Sequence, residues 1–204
     1  MNMLEAGVPI RAVVGLGNFG QEFEVTRHNA GFQTLDQLAS ENGASFVSFK
    51  QLQAELASVE IEGIFTLLVK PNTGLAGMNS SGVAVKAVLD YFKINPTPDN
   101  VLVVYDEIEL SGLRVNLVSK KSRLHHNGVK SVYEYLGQES RFARLRVAVG
   151  PPPEDRNYKN FALGRLEGEA LELFEQNCRL SAIAVRCWAI EGVERATNKV
   201  NHKL

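Results

Sequence analysis

VLVVYD, residues 101–106, is the most continuously apolar run of the chain. A run of this kind is typical of a central strand that is covered on both faces. A second short apolar segment, IRAVVG at 10–15, ends in glycine and predicts another buried strand. The two segments together indicate a sheet with helices packed on both sides.

Outward from these strands, the pattern alternates between strands and helices without a linker. Apolar residues at helical spacing predict four helices, at 30–42, 81–93, 128–137 and 167–189. Alternation and short apolar runs predict four more strands, at 53–60, 64–70, 113–119 and 144–150, the first two forming a hairpin and the third lying at the outside of the sheet. We therefore expect one α/β domain over residues 1–204, with a mixed twisted β-sheet surrounded by helices.

Composition excludes several classes of protein. The 204 residues carry 22 Lys and Arg against 23 Asp and Glu and are 45% apolar, which excludes a disordered chain and a uniformly basic nucleic-acid-binding protein. Two cysteines, Cys178 and Cys187, form no disulfide framework. No run approaches the ~18 apolar residues of a membrane span, and the first ten residues lack the basic start of a secretory signal. We expect a cytoplasmic protein.

The sequence GLGNFG at 15–20 matches the glycine pattern of dinucleotide-binding folds. That function requires a helix to begin at once, so that its N-terminal amides can bind a pyrophosphate. The residues after Gly20, QEFEVTRHN, have no helical stripe, and the nearest acid at the required distance, Asp36, lies inside a predicted helix. The pattern therefore favours glycines that serve a tight turn.

Polar residues able to perform chemistry recur in three loops expected at the carboxyl ends of strands, 17–29, 71–79 and 106–112. A histidine is the natural general base near neutral pH, and a carboxylate on its other nitrogen fixes its tautomer and stabilises the imidazolium. The chain has no GxSxG motif, and both cysteines lie in a predicted helix, so a base would activate water directly. The residues concerned are His28, Asp106, Asn18, Asn79, His126 and Asn127.

Two further features bear on the ligand. The four histidines lack the spacing of a metal site, so we expect no metal. Between Arg114 and Arg146 the chain carries eight basic residues and only two acids, around the loop that contains His126 and Asn127, which indicates a polyanion near the site. These residues alone predict a hydrolase or transferase that acts on a phosphate-bearing substrate.

Six segments, in order along the chain, resemble the motifs of bacterial-type peptidyl-tRNA hydrolases. The first, VVGLGNFGQEFEVTRHNAGF, is similar to the family's G-L-G-N-P-G-x-x-Y-x-x-T-R-H-N-x-G. The others are KPNTGLAGMNSSG, VVYDEIEL, HHNGVKS, FARLRVAVGPP and FALGRL. The resemblance covers essentially the whole chain.

This resemblance implies a monomer that hydrolyses the ester between a peptide and the 3′ ribose of tRNA, without a metal or cofactor. By motif, His28 would be the general base and Asp106 its orienting partner. Asn18 and Asn79 would hold the peptide and the 3′ end, and Asn127 the water or the carbonyl. The remaining implied substrate or tRNA contacts are Phe23, Met78, His126, which would stabilise the bound ester, and Arg146, which would clamp a tRNA phosphate.

The chain departs from the family pattern at several of these positions. His125 replaces a glycine, Phe23 a tyrosine and Phe19 a proline, and three residues are inserted within TGLAGMN. A phosphate-binding lysine of the family falls at Val118, and Lys120, Lys121 or Arg123 could serve instead. The altered loop 119–125 leaves open an RNA-binding relative without hydrolase activity, beside a nucleotide-cofactor enzyme and a general phospho-substrate hydrolase.

Overall fold

The computed structural model describes residues 10–72, 74, 80–112, 114–118 and 125–203. Its strands are β1 (Arg11–Gly15), β2 (Val47–Phe49), β3 (Ala54–Ile61), β4 (Ile64–Pro71), β5 (Val101–Ser111), β6 (Val115–Val118) and β7 (Ala143–Gly150). Its helices are α1 (Ala30–Glu41), α2 (Ser81–Tyr91), α3 (Asn127–Leu136), α4 (Tyr158–Leu163) and α5 (Gly168–Lys203). Short 3₁₀ turns precede α1 at Gln21–Phe23 and Arg27–Asn29, and a third lies at Lys50–Leu52.

The seven strands form one mixed sheet in the order β2-β3-β4-β1-β5-β7-β6. The central pairs β4–β1, β1–β5 and β5–β7 are parallel, and the hairpin β3–β4 and the outer pairs β2–β3 and β6–β7 are antiparallel. The predicted fold class is confirmed, as are the hairpin and the outer position of β6.

Alternation along the central strands divides the core in two. Leu102 and Val104 of β5 face the layer of α1 and α5, where Trp188 is fully buried. Val101, Val103 and Tyr105 face the layer of α2 and α3. The continuous apolar run is thus explained, because both faces of this strand are covered.

Three predictions about local structure were wrong. The strand predicted to end at Asp106 continues to Ser111, with a shift in its register against β7 after Glu107, so Asp106 lies within β5 and not in a loop. The segment after Ala189 is helical to Lys203, past a break at Gly192, where φ is 77° and Asp99 accepts a hydrogen bond from the N–H of Val193. Strand β2 and helix α4 were not predicted; each is short and has no buried apolar run.

The described part of the chain contains no helix that is both long enough and apolar enough to cross a membrane. Cys178 and Cys187 are both buried and unpaired. Burial raises the pKa of Cys178 to about 12, so its thiol stays protonated and unreactive in the folded protein.

Candidate active site

The site is centred on a contact between His28, in the 3₁₀ turn before α1, and Asp106, in β5. Nδ1 of His28 lies 2.9 Å from Oδ1 of Asp106. Because a carboxylate accepts this bond, Nδ1 carries the proton and the lone pair of Nε2 is free to act as a base. The structure therefore brings together the two residues expected to form the catalytic pair.

Close packing between β1 and α1 places this turn against the sheet. A Cβ on Gly31 would lie 2.3 Å from the backbone N of Leu16 and 2.4 Å from the carbonyl oxygen of Val104, and one on Gly15 would lie 2.6 Å from the carbonyl of Gly31. Glycine is required at both positions for this approach. The first glycine of GLGNFG thus serves helix–sheet packing, while Gly20, at a φ of 129°, serves a turn.

Asn29 positions the glycine loop through two hydrogen bonds. Its Oδ1 accepts from the backbone N–H of Asn18 at 2.8 Å, and its Nδ2 donates to the carbonyl of Asn18 at 3.0 Å. Oδ1 of Asn18 is itself buried and meets no hydrogen-bond donor among the residues that the structure describes. A buried acceptor without a donor is costly, which suits a side chain that receives a donor from the substrate.

His126, the N-cap of α3, contacts the same carboxylate from the other side. Its Nε2 lies 2.9 Å from Oδ1 of Asp106, and its Nδ1 accepts from the backbone N–H of Val129 at 3.3 Å. The side chain is 7% exposed, and both ring nitrogens are occupied by protein groups. The implied contact of His126 with the bound ester stays a prediction, and it would require one of these bonds to break.

A cavity of about 630 Å³ opens at these residues. Its walls come from the glycine loop, β5, the start of α3 and α4. Asn127 lies beside the pair at the first position of α3. The lining residues are Asn18, His28, Asp106, Glu107, Ile108, His125, His126, Asn127, Tyr158, Lys159, Ala162 and Leu163.

The electrostatics of the pair favour a charged carboxylate beside a basic imidazole. Burial acts to lower the pKa of His28, but the charge and hydrogen bond of Asp106 outweigh it and raise the pKa above its ordinary value. Burial likewise acts to raise the pKa of Asp106, and the two imidazoles outweigh it, so the pKa lies far below its ordinary range. Asp106 is therefore an anion at every pH at which His28 titrates.

Arg146 lies on β7 and is held by other protein groups. Its Nε donates to Oε2 of Glu107 at 2.9 Å, its NH2 lies 2.8 Å from the same oxygen, and its NH1 lies 3.4 Å from Oδ1 of Asn116. The side chain is about one quarter exposed and does not line the cavity. A phosphate would meet this guanidinium only at its outer edge.

Helix α4, which the sequence did not predict, forms one wall of the cavity. The guanidinium of Arg27 lies 4.0 Å from the centre of the Phe161 ring, and its NH1 donates to the carbonyl of Phe161 at 3.3 Å. Arg27 precedes His28 directly, so the turn that carries the base also anchors this wall. The motifs FALGRL and TRHN contained both residues but gave no signal that they meet.

Other expected site residues fall outside the cavity or outside the described residues. Phe23 is half-buried and does not line the cavity. Met78, Asn79, Lys120 and Lys121 lie outside the described residues. His125, which replaces a glycine of the family, lines the cavity and turns half-exposed toward Glu109, with 3.7 Å between Nε2 and Oε1.

The basic cluster expected between Arg114 and Arg146 is smaller on the surface than in the sequence. Arg144 is 1% exposed, and its NH1 lies 3.5 Å from the hydroxyl of Tyr105 in the core layer of α2 and α3. Arg146 is paired with Glu107. Counting charges along the chain therefore overstated the positive surface near the site.

Three groups lie close enough to share a metal ion: within the described ranges, the ligand atoms of His28, Asp106 and His126 all fall within 4.8 Å of one another. The same atoms are already joined by the two hydrogen bonds to Asp106. A metal bound there would replace both bonds. The expectation of a site without metal stays a prediction.

Comparison with known proteins gives consistent results. The family model described as peptidyl-tRNA hydrolase matches residues 12–204. The peptidyl-tRNA hydrolase of Anaeromyxobacter sp. (strain K) is 41% identical over 196 residues, which is 95% of this chain and 97% of that protein. The one from Synechococcus sp. (strain JA-3-3Ab) is 39% identical over 194 residues, 95% of this chain and 84% of that protein. The crystal structure of peptidyl-tRNA hydrolase from Acinetobacter baumannii superposes with a TM-score of 0.84 at 28% identity, covering 95% of each chain.

Proposed function

The chain belongs to the peptidyl-tRNA hydrolase family, and from that premise we propose that it hydrolyses the ester between the peptide and the tRNA in peptidyl-tRNA, with His28 as the general base. The observation that carries this proposal is the 2.9 Å contact between His28 and Asp106 at the wall of an open cavity. The products are free tRNA and a free peptide.

The chemistry follows from the free lone pair on Nε2 of His28. That nitrogen takes a proton from water as the water oxygen bonds to the ester carbonyl carbon. The tetrahedral intermediate then collapses, the bond from carbon to the 3′ ribose oxygen breaks, and the proton on His28 passes to that oxygen. Asp106 stabilises the imidazolium that exists between the two steps. No metal or cofactor is needed.

Polar side chains around the base would hold the substrate. The unpaired Oδ1 of Asn18 is suited to accept an N–H of the peptide. Asn127, beside the pair in the cavity wall, would orient the water or the ester carbonyl. Asn79, Met78 and Phe23 remain family-based assignments for the 3′ end and the pocket, and Arg146, Lys120 and Lys121 for the tRNA phosphates.

We further propose that the chain acts as a monomer in the cytoplasm, as one domain over residues 1–204, with tRNA as its macromolecular partner. No membrane association enters this account. Phosphate contacts of the tRNA dominate affinity and carry little sequence information.

A release assay on an N-acyl-aminoacyl-tRNA tests the function. The wild-type protein is expected to free the acyl-amino acid catalytically, with an unchanged rate in excess EDTA because no metal takes part. A gel-shift measurement on the same tRNA runs in parallel. Binding without release would identify an RNA-binding relative and contradict the proposal, and a loss of rate in EDTA would contradict the metal-free mechanism.

A further inference from the structure

The carboxylate of Asp106 is shared between two imidazoles. His28 approaches Oδ1 through Nδ1 and His126 approaches the same oxygen through Nε2, each at 2.9 Å. The two rings lie 5.0 Å apart, centre to centre, and the carboxylate is 8% exposed. A single buried oxygen thus serves two potential donors.

The tautomer of His126 follows from its second contact. The backbone N–H of Val129 can only donate, so Nδ1 of His126 must accept, and the ring proton lies on Nε2. Nε2–H then points at Asp106 and donates to it. Because α3 fixes Val129, the helix cap holds His126 as a permanent donor to the carboxylate.

We propose that His126 is a positioning residue that draws off part of the negative charge that Asp106 offers to His28 and so keeps His28 free of its proton at neutral pH. The inference rests on the proposed role of His28 as the base. A carboxylate with one donor binds an imidazolium more tightly than a carboxylate with two, since each donor to the anion disperses its charge. His126 therefore acts through Asp106 and needs no contact with substrate.

Other charges around His28 are accounted for. From β5, Glu107 pairs with Arg146; from α1, Asp36 pairs with Lys70 on β4. From α4, Tyr158 and Lys159 line the same cavity. Tyr105 packs against the ring of His126, with its pKa raised to about 12 by burial, and stays neutral in the working range. Asp106 and His126 are the groups bonded directly to this charge balance.

The test is the titration of His28 followed by NMR on the ¹⁵N-labelled full chain without substrate, so that its outcome is independent of hydrolase activity. Replacing His126→Phe keeps a ring and removes the donor, and we expect the midpoint of His28 to rise by about one pH unit. His126→Gln keeps an N–H at similar reach, and we expect the midpoint to stay within about 0.3 units. The matched control is His125→Phe, which removes a neighbouring ring that faces Glu109, and the midpoint should not move.

An unmoved or lowered midpoint in His126→Phe would overturn the proposal, as would equal shifts in the Phe and Gln variants, which would assign the effect to the ring rather than the donor. If His126→Phe does not fold, the tautomer in the wild-type protein decides. The proposal requires the proton of His126 on Nε2, and a signal from an Nδ1-protonated ring would refute it.

Discussion

Nδ1 of His28 and Oδ1 of Asp106 lie 2.9 Å apart, although 78 residues separate them along the chain. The contact forms because the 3₁₀ turn before α1 sits on the central strand β5, where Asp106 continues the row of Leu102 and Val104 toward the α1 layer. The proposed catalytic cycle depends on this one bond.

Removing the charge of Asp106 tests that dependence. Asp106→Asn preserves the shape of the side chain but no longer stabilises the imidazolium, so we expect kcat to fall by about 100-fold or more. The acid limb of kcat/KM should also move to lower pH, because the anion that raises the pKa of His28 is lost. Asp90→Asn, at an exposed surface pair with Lys86, is the control. A rate within about threefold of wild type would contradict the pairing.

The pH dependence of wild-type activity and of stability should run in opposite directions. The raised pKa of His28 predicts that kcat/KM rises with pH through a midpoint above 6.5 and then levels off. Protonated His28 bound to Asp106 stabilises the fold below the unfolded-state pKa, and this contribution disappears as pH rises through the folded-state pKa. The unfolding free energy of wild type minus that of His28→Ala should therefore be larger at pH 5.5 than at 8.5, as measured by urea denaturation. An equal difference at both values would argue against the raised pKa.

The contact between Arg27 and Phe161 links the catalytic turn to the α4 wall. Phe161→Leu keeps an apolar side chain but loses the ring under the guanidinium, a contact worth about 0.5–2 kcal/mol. We expect KM to rise by about 3- to 10-fold with kcat little changed, because the wall holds substrate and not the reacting proton. Tyr91→Leu, an exposed aromatic on α2, is the matched control. A fall in kcat at constant KM would show that α4 acts on chemistry instead.

Gly31 sets the distance between α1 and the sheet. Gly31→Ala places a Cβ 2.3 Å from the backbone N of Leu16, so the helix must shift, and we expect a loss of about 1–3 kcal/mol in the free energy of unfolding. Ser40→Ala, at an exposed position of the same helix, should change stability by less than about 0.5 kcal/mol. Equal unfolding midpoints for the Gly31 variant and wild type would refute the close approach.

Much of the fold was predictable because it depends on local pattern. The apolar run at 101–106 identified the central strand, and helical spacing identified α1, α2 and α3 to within about two residues of the observed ends. The pattern could not predict that β5 continues past Asp106, because its last residues alternate in burial and pair with β7 only in three dimensions. Nor did it predict the helix beyond Gly192, which begins again with Asp99 as a distant cap.

The site was predictable only where motifs carried it. His28 and Asp106 were identified by residue type and by resemblance, and the structure brings them into contact. The roles of Asn29 and Phe161 were missed, because each acts through a tertiary contact that leaves no periodic or compositional signal. Burial also escaped the sequence: Arg144 contributes to the basic count of its segment but lies in the core.

The account stands or falls with the base itself. In a single-turnover release assay on an N-acyl-aminoacyl-tRNA with enzyme in excess, His28→Ala should retain its fold by circular dichroism and cleave about 100- to 10,000-fold more slowly than wild type. Cleavage by the folded variant at a rate close to that of wild type would contradict the assignment of His28 as the group that activates water.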